Sequence, residues 1–306
     1  MATFFEIFEA LLLRYNRKEF LASDPIQFAH RYRDSADREI AAFLSAMFAY
    51  GSVGLIGRAL EAILAPMGES PSWFLAKFDG KASHWPGFSH RFHDERHLKA
   101  LLSAIRRAIA EHGSLGGLFR DQGRAGQSKR FVENVLNGTA RWFWDEFKRE
   151  CARTRGPGQS AWRGLRFFIN APEGGSACKR GVMFLRWMSR ADEVDLGLWS
   201  DWLSPRELII PVDTHIARLS HFLRLRSGKL AKAPNWAMAL EITDRLRAIS
   251  PDDPVRYDFA LTRLGILDVC RRRYVESICE TCPVEPVCFL ARAGMRGRLS
   301  ARARRA

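Results

Sequence analysis

The stretch "IIPVDTHIARLSHF" (residues 209–222) decides how this chain is read. Ile216, Leu219, Ser220 and Leu223 recur at helical spacing, so a helix is expected from about Thr214 to Leu223. Pro211 ends whatever precedes it. Asp213 then stands where an N-cap belongs, its side chain positioned to accept from the first free backbone N–H groups. Most aspartates in that position only cap a helix. Whether this one does more depends on what lies around it.

Outward from this point the pattern is helical almost throughout. "DREIAAFLSAMFAYG" (37–51) carries Ile40, Phe43, Leu44 and Met47 on one face and stops at Gly51. "VGLIGRALEAILAPMG" (53–68), "DERHLKALLSAIRRAIAEHG" (94–113) and "SKRFVENVLNGTARWFWDEFKREC" (128–151) follow, the last with a break expected at Asn137 and Gly138. "KRGVMFLRWMSR" (179–190), "NWAMALEITDRLRAI" (235–249) and "DPVRYDFALTRLGILDVC" (253–270) bring the set to about nine helices. No convincing period-two strand occurs, so the fold class is all-α. "RDQGRAGQ" (120–127) and "RTRGPGQS" (153–160) read as surface loops.

Apolar residues make up 47% of the 306, a globular composition, and no run of 18 apolar residues suggests a membrane span. The N-terminal "MATFFEIFEALLLRY" contains Glu6 and Glu9, which suits an amphipathic core helix better than a signal peptide. The expected location is the cytoplasm. The formal net charge of +14 points to a polyanionic partner, nucleic acid first, although an arginine-rich proteome would also raise it. The tail "ARAGMRGRLSARARRA" (291–306) holds six arginines and no acid, and is expected to be disordered alone and backbone-seeking on nucleic acid.

Four of the six cysteines crowd one end. Cys270, Cys279, Cys282 and Cys288 have the spacing C-x8-C-x2-C-x5-C, and in a cytosolic chain a metal or cluster site explains them better than disulfides. One close pair and two single cysteines suit a compact loop around a [4Fe–4S] cluster at least as well as zinc, and spacing alone leaves both open. Pro283 and Pro286 would fix the turns between ligands. Cys151 and Cys178 lie apart and read as core or loop residues.

"VDTHIARL", followed by "LTRLGILDVC" and the cysteine loop, resembles the helix-hairpin-helix/GPD superfamily of DNA glycosylases, its endonuclease III branch in particular. "FLSAMFAY" (43–50) is similar to that branch's "LLSAQ" segment, with Met47 in place of the usual DNA-probing glutamine. The family's L-P-G-V-G-x-K hairpin is replaced by "PEGGSACKR" (172–180), in which only Gly175 and Lys179 keep their places. The long gap from Lys179 to Asp213 resembles the archaeal 8-oxoguanine glycosylases, and "GSACKRGVMFLRWMSRADEVDLGLW" (175–199) looks like a separate bacterial branch. The resemblance implies two helical subdomains with a cleft between them. Residues 35–203 would carry the altered hairpin and Lys179; residues 1–34 plus 204–290 would carry Asp213 and an iron–sulfur loop at 270–288. It also implies a [4Fe–4S] cluster on the four cysteines, with zinc the lesser alternative.

The activity implied is excision of a damaged base, an oxidised purine by the Lys–Asp spacing, from double-stranded DNA by a monomer located at the nucleoid. A carboxylate at Asp213 would oppose the positive charge that develops on the sugar, and the helix N-terminus favours its ionised form. Lys179 is the expected nucleophile, with AP-lyase chemistry through a Schiff base; a phosphate-binding surface lysine is its plain alternative. His215 would orient Asp213 or touch a phosphate, with a structural histidine in the first helical turn as the equal alternative. Arg180, Arg186 and Arg190 are candidates for a DNA-facing stripe, with a solvated face as the default. Trp187, Trp199 and Trp202 are expected in the core rather than stacked on a flipped base. The competing function is a non-catalytic DNA- or RNA-binding iron–sulfur protein on the same fold.

Overall fold

A computed structural model describes residues 3–126, 128, 130–153, 159–228, 233–267, 270–271 and 273–295. The chain is mostly helical, as its apolar periodicity requires. Helix α1 is Phe4–Tyr15, started by a capping box between Thr3 and Glu6. Then come α2 (Ser35–Met47), α3 (Val53–Leu64) and α4 (Pro71–Lys77), capped by Asp34, Ser52 and Ser70 in turn. A short antiparallel hairpin follows, β1 (Ser89–His90) and β2 (His93–Asp94), pairing Ser89 with Asp94 and His90 with His93. Next are α5 (Glu95–His112), α6 (Leu115–Ala125), α7 (Phe131–Arg153), α8 (Gln159–Phe168) and α9 (Lys179–Ser189). The chain continues with α10 (Thr214–Phe222), α11 (Trp236–Ile249), α12 (Asp258–Ile266) and the single-turn α13 (Glu276–Cys279).

Helix α2 is the centre. From Ile40 to Met47 every residue is buried, so it is covered on all sides, and α9 packs along it. Phe43 meets Phe143 of α7 in a stacked pair at 5.5 Å, Phe184 of α9 edge-on at 5.2 Å, and Phe119 of α6 at 6.1 Å. Truncating such a residue to alanine costs about 3–5 kcal/mol. One continuous buried cluster runs from Ile7 to Val284. Trp187 and Trp199 lie within it, and the half-buried Trp202 packs on Trp199 at 5.2 Å, as expected of core residues.

Several boundaries differ from the sequence expectation. Asn137 and Gly138 do not interrupt α7. Residues 120–125 are helix rather than loop: a Cβ on Gly123 would come within 2.7 Å of Phe131 and Val135, so this glycine permits a close crossing of α6 and α7. Most of the expected 153–160 loop falls outside the described residues, and Gln159 already belongs to α8. Residues 254–257 form turns before α12. Residues 289–295 are helical, Ala291 is buried, and Gly294 lies against the Tyr274 ring, so the expected disordered tail does not begin at 291. Residues 296–306 lie outside the described residues. No helix among the described residues is long and apolar enough to cross a membrane.

Candidate functional site

Asp213 is the N-cap of α10. One carboxylate oxygen, Oδ1, accepts from the backbone N–H of His215 (2.8 Å) and of Ile216 (2.9 Å). The other, Oδ2, lies 4.0 Å from Nζ of Lys179, the first residue of α9. Both side chains keep about a third of their surface exposed, 33% for Lys179 and 32% for Asp213, so a ligand can reach them. Two residues 34 apart in sequence thus meet at the starts of two helices.

Local structure explains why Lys179 is held there. The segment before it turns through a 3-10 helix, Pro172–Gly174, and Gly175 at φ 75°. It then bridges Ser176 to Asn235, the cap of α11, and Gly175 O accepts from Trp236 N at 3.1 Å. Cys178 takes the left-handed conformation at φ 48°, and its buried thiol, pushed up to about 12 by burial, donates to the carbonyls of Asn170 and Ser176. Residues 172–178 are therefore docked to α11 and end in a strained residue, Cys178, that launches α9.

The expected arginine stripe is not on the surface. Arg180 is buried; it donates to Met47 O at 2.7 Å and to Phe167 O, and its guanidinium lies 4.4 Å from the Phe167 ring centroid. Burial holds it below its ordinary value, at about 10. Arg186 is buried between Asp195 and Asp258. Arg190 is buried among Asp192, Asp195 and Asp253. These arginines tie α9 to its surroundings and cannot meet a phosphate. Met47 is buried too, lining a cavity of about 20 Å³ with Phe43, Phe119 and Phe168, so it does not probe a duplex. His215 is half-buried and turned toward α12: a Cβ on Gly265 would lie 3.1 Å from its Nδ1.

What the sequence reading missed is an exposed aromatic and basic tip. Arg91 and Phe92 form the turn of the β1–β2 hairpin, Arg91 in the left-handed region at φ 56°. Phe92 is 55% exposed, parallel to Tyr50 at 6.2 Å and edge-on to Phe167 at 5.3 Å. Tyr50 and Phe167 in turn flank Arg180, next to Lys179. The exposed start of α3, including Val53, Gly54 and Arg58, adjoins the hairpin, and the Arg91 side chain lies over Gly51.

The four clustered cysteines are half-buried. Cys270, Cys282 and Cys288 pack against the core. Cys270 N–H donates to Leu264 O, anchoring the loop to α12, and Cys279 Sγ accepts from Val275 N–H. Burial first, and charge on the other three to a smaller degree, push the Cys282 thiol up to about 11, so Cys282 lies within electrostatic reach of Cys270, Cys279 and Cys288. Among the described residues no three His, Cys, Asp or Glu side chains stand at metal-holding distances. The donor set, four soft thiols on one half-buried loop, fits a [4Fe–4S] cluster or a zinc ion by its chemistry.

No curated protein and no solved structure is significantly similar to the chain. A family model described as "Protein of unknown function (DUF2400)" matches residues 24–267, ending before Cys270 but spanning both Lys179 and Asp213. The chain therefore belongs to the DUF2400 family.

Proposed function

We propose that this chain is a DNA glycosylase that removes a damaged base, with associated AP-lyase activity. The observation that carries the reading is the 4.0 Å approach of Lys179 Nζ to Asp213 Oδ2, in an exposed position at two helix starts. Asp213, ionised beside two backbone N–H donors, accepts the proton that the Lys179 ammonium must lose. The amine lone pair then bonds to C1′ as the glycosidic C–N bond breaks. The base leaves with the bonding pair and takes that proton from Asp213, whose regenerated carboxylate opposes the charge that builds on the sugar. Opening of the sugar ring gives an iminium on Lys179, from which loss of a C2′ proton and of the 3′ phosphate cleaves the strand.

The expected two-subdomain division would put Lys179 on one side of the cleft and Asp213 on the other. The net charge of +14 and the Arg91–Phe92 tip support a nucleic-acid partner, the tip combining a stacking face with a phosphate-seeking cation. Cys270, Cys279, Cys282 and Cys288 would hold a [4Fe–4S] cluster, zinc being the lesser alternative, as a structural centre that fixes the loop after α12. Oxidised purine is the first substrate to test. The test is incubation with duplexes that each carry one lesion, followed by hot alkali and a gel. Base release from one lesion class supports the reading. Tight binding with no release from any lesion overturns it in favour of a non-catalytic DNA- or RNA-binding protein on the same fold.

A further inference from the structure

We infer that Arg180 is a positioning residue: its buried guanidinium holds the Phe92 tip and the Lys179 amine in one frame, so that DNA stacked on the tip is set in place for attack. The inference rests on the reading of Lys179 as the attacking amine. Lys179 and Arg180 are the first two residues of α9. Lys179 keeps an exposed amine facing Asp213, whereas Arg180 is buried. Nη1 of Arg180 donates to Met47 O at 2.7 Å, and Nη2 donates to Phe167 O. Met47 ends α2 and Phe167 is the last residue but one of α8, so both carbonyls belong to final turns, where no later N–H of the helix reaches them. One guanidinium thus closes the ends of two helices from the start of a third.

The aromatic contacts of Arg180 lead to the tip. Its guanidinium carbon lies 4.4 Å from the centroid of the Phe167 ring and 5.3 Å from that of Tyr50. The same two rings back Phe92, Phe167 edge-on at 5.3 Å and Tyr50 parallel at 6.2 Å. The hairpin behind Phe92 is fixed to the same parts: His93 accepts from the Tyr50 hydroxyl and donates to Gly164 O of α8. A single layer of rings therefore separates the exposed Phe92 from the guanidinium that anchors the first turn of α9. Arg186 and Arg190, further along α9, are set against aspartates, whereas Arg180 has no carboxylate partner among the described residues. Burying a cation without one is costly, and packing alone would be served by an apolar side chain. Arginine adds a planar fork that bonds in two directions while its plane lies against aromatic rings. Lysine would keep the charge and lose that geometry.

The experiment separates rate from affinity. Borohydride trapping is timed on a duplex with one abasic site, whose opposite base is unpaired and free to stack on Phe92, with protein at saturation. Affinity is read by anisotropy on the same duplex carrying a tetrahydrofuran in place of the abasic sugar. Arg180 is buried, so Arg180→Lys should leave Kd within about twofold. It should slow trapping at saturation by about 10- to 100-fold, the cost of a misplaced reacting group. Phe92→Ala should slow trapping at saturation by about fivefold or more. The double variant should be slower than Arg180→Lys by no more than about twofold, because members of one frame do not add. An arginine that only stabilises the fold would lower the urea midpoint and leave the rate of the folded chain unchanged. That result, or losses that multiply, overturns the proposal. Should Arg180→Lys not fold, Phe167→Leu takes its place with the same expected pattern, since it removes the ring between the guanidinium and Phe92 and keeps the carbonyl. A native chain that forms no adduct sinks the reading of Lys179 and this inference with it; an adduct with losses that multiply sinks this inference alone.

Discussion

Asp213 divides its two oxygens between two partners: Oδ1 closes the first turn of α10, and Oδ2 faces the Lys179 amine at 4.0 Å. The cap and the charge can therefore be separated by mutation. Asn caps helices about as well as Asp, so Asp213→Asn should change stability by less than about 0.5 kcal/mol in urea unfolding. Base release should fall by about 100- to 1000-fold, the usual loss when one charge-stabilising contact is removed. Borohydride should trap the native chain on lesion DNA and fail with Lys179→Gln. Trapping that persists in Lys179→Gln would assign the nucleophile to another amine; undiminished release by Asp213→Asn would reduce Asp213 to a cap.

The Arg91–Phe92 tip gives a prediction about binding. Phe92 is backed by Tyr50 and Phe167, so it is exposed yet held in one orientation. Phe92→Ala should weaken binding to DNA with an unpaired base by about 1–3 kcal/mol, roughly 5- to 150-fold, and hardly affect stability. Arg91→Ala should weaken all sequences alike and reduce the salt slope by about 0.9, the value for one phosphate contact. Unchanged affinity in both variants, measured by anisotropy across salt, would move the DNA face elsewhere.

How much of this was legible beforehand depends on what local pattern can encode. The places of Asp213 as the cap of α10 and of Lys179 at the start of α9 were legible because capping and helix starts are written in short stretches; the choice of Lys179 as a candidate came from the resemblance instead. The burial of Arg180, Arg186 and Arg190 was not legible. Helical spacing shows that Arg186 and Arg190 share a side of α9, but α9 is buried on nearly every side, and the acids that neutralise them include Asp253 and Asp258, more than sixty residues away. Spacing within one helix cannot distinguish a solvated charged face from a buried ion-pair layer. Gly123 misled for a related reason: glycine marks a turn or a close helix crossing equally well, and only Phe131 and Val135 decide which. Met47 aligned with a DNA-probing position, yet α2 runs through the centre and leaves it no solvent.

The cysteine loop predicts a colour. Purified without oxygen, the chain should be brown and bind about four irons through Cys270, Cys279, Cys282 and Cys288. Cys279→Ser should bleach it and lower solubility, because the loop anchored on Leu264 O and Val275 N–H loses its cross-link. Colourless protein with stoichiometric zinc would replace the cluster with a zinc site.

The last prediction concerns acid. His93 is buried, stacked on Phe168 at 3.8 Å, and bonded on both ring nitrogens: the Tyr50 hydroxyl donates to Nδ1, and Nε2–H donates to Gly164 O at 2.8 Å. That arrangement holds the neutral ring, and burial lowers His93 to about 3 from its ordinary 6.5. The unfolded chain binds a proton at this histidine below pH 6.5, whereas the folded chain does not until about pH 3. Between those values the unfolded state carries more protons, so stability drops as pH falls, by about 1.4 kcal/mol per unit from this group when the window is fully open. His90 is shifted the same way by its own burial and is common to both chains compared. His93→Gln keeps one donor and one acceptor and removes the titration. Urea midpoints at pH 7.5, 6 and 5 should therefore show the native chain losing stability faster than His93→Gln as pH falls. Parallel losses in the two chains would mean that His93 takes up its proton in the folded state, and that the Tyr50–His93–Gly164 chain is looser than its bonds imply.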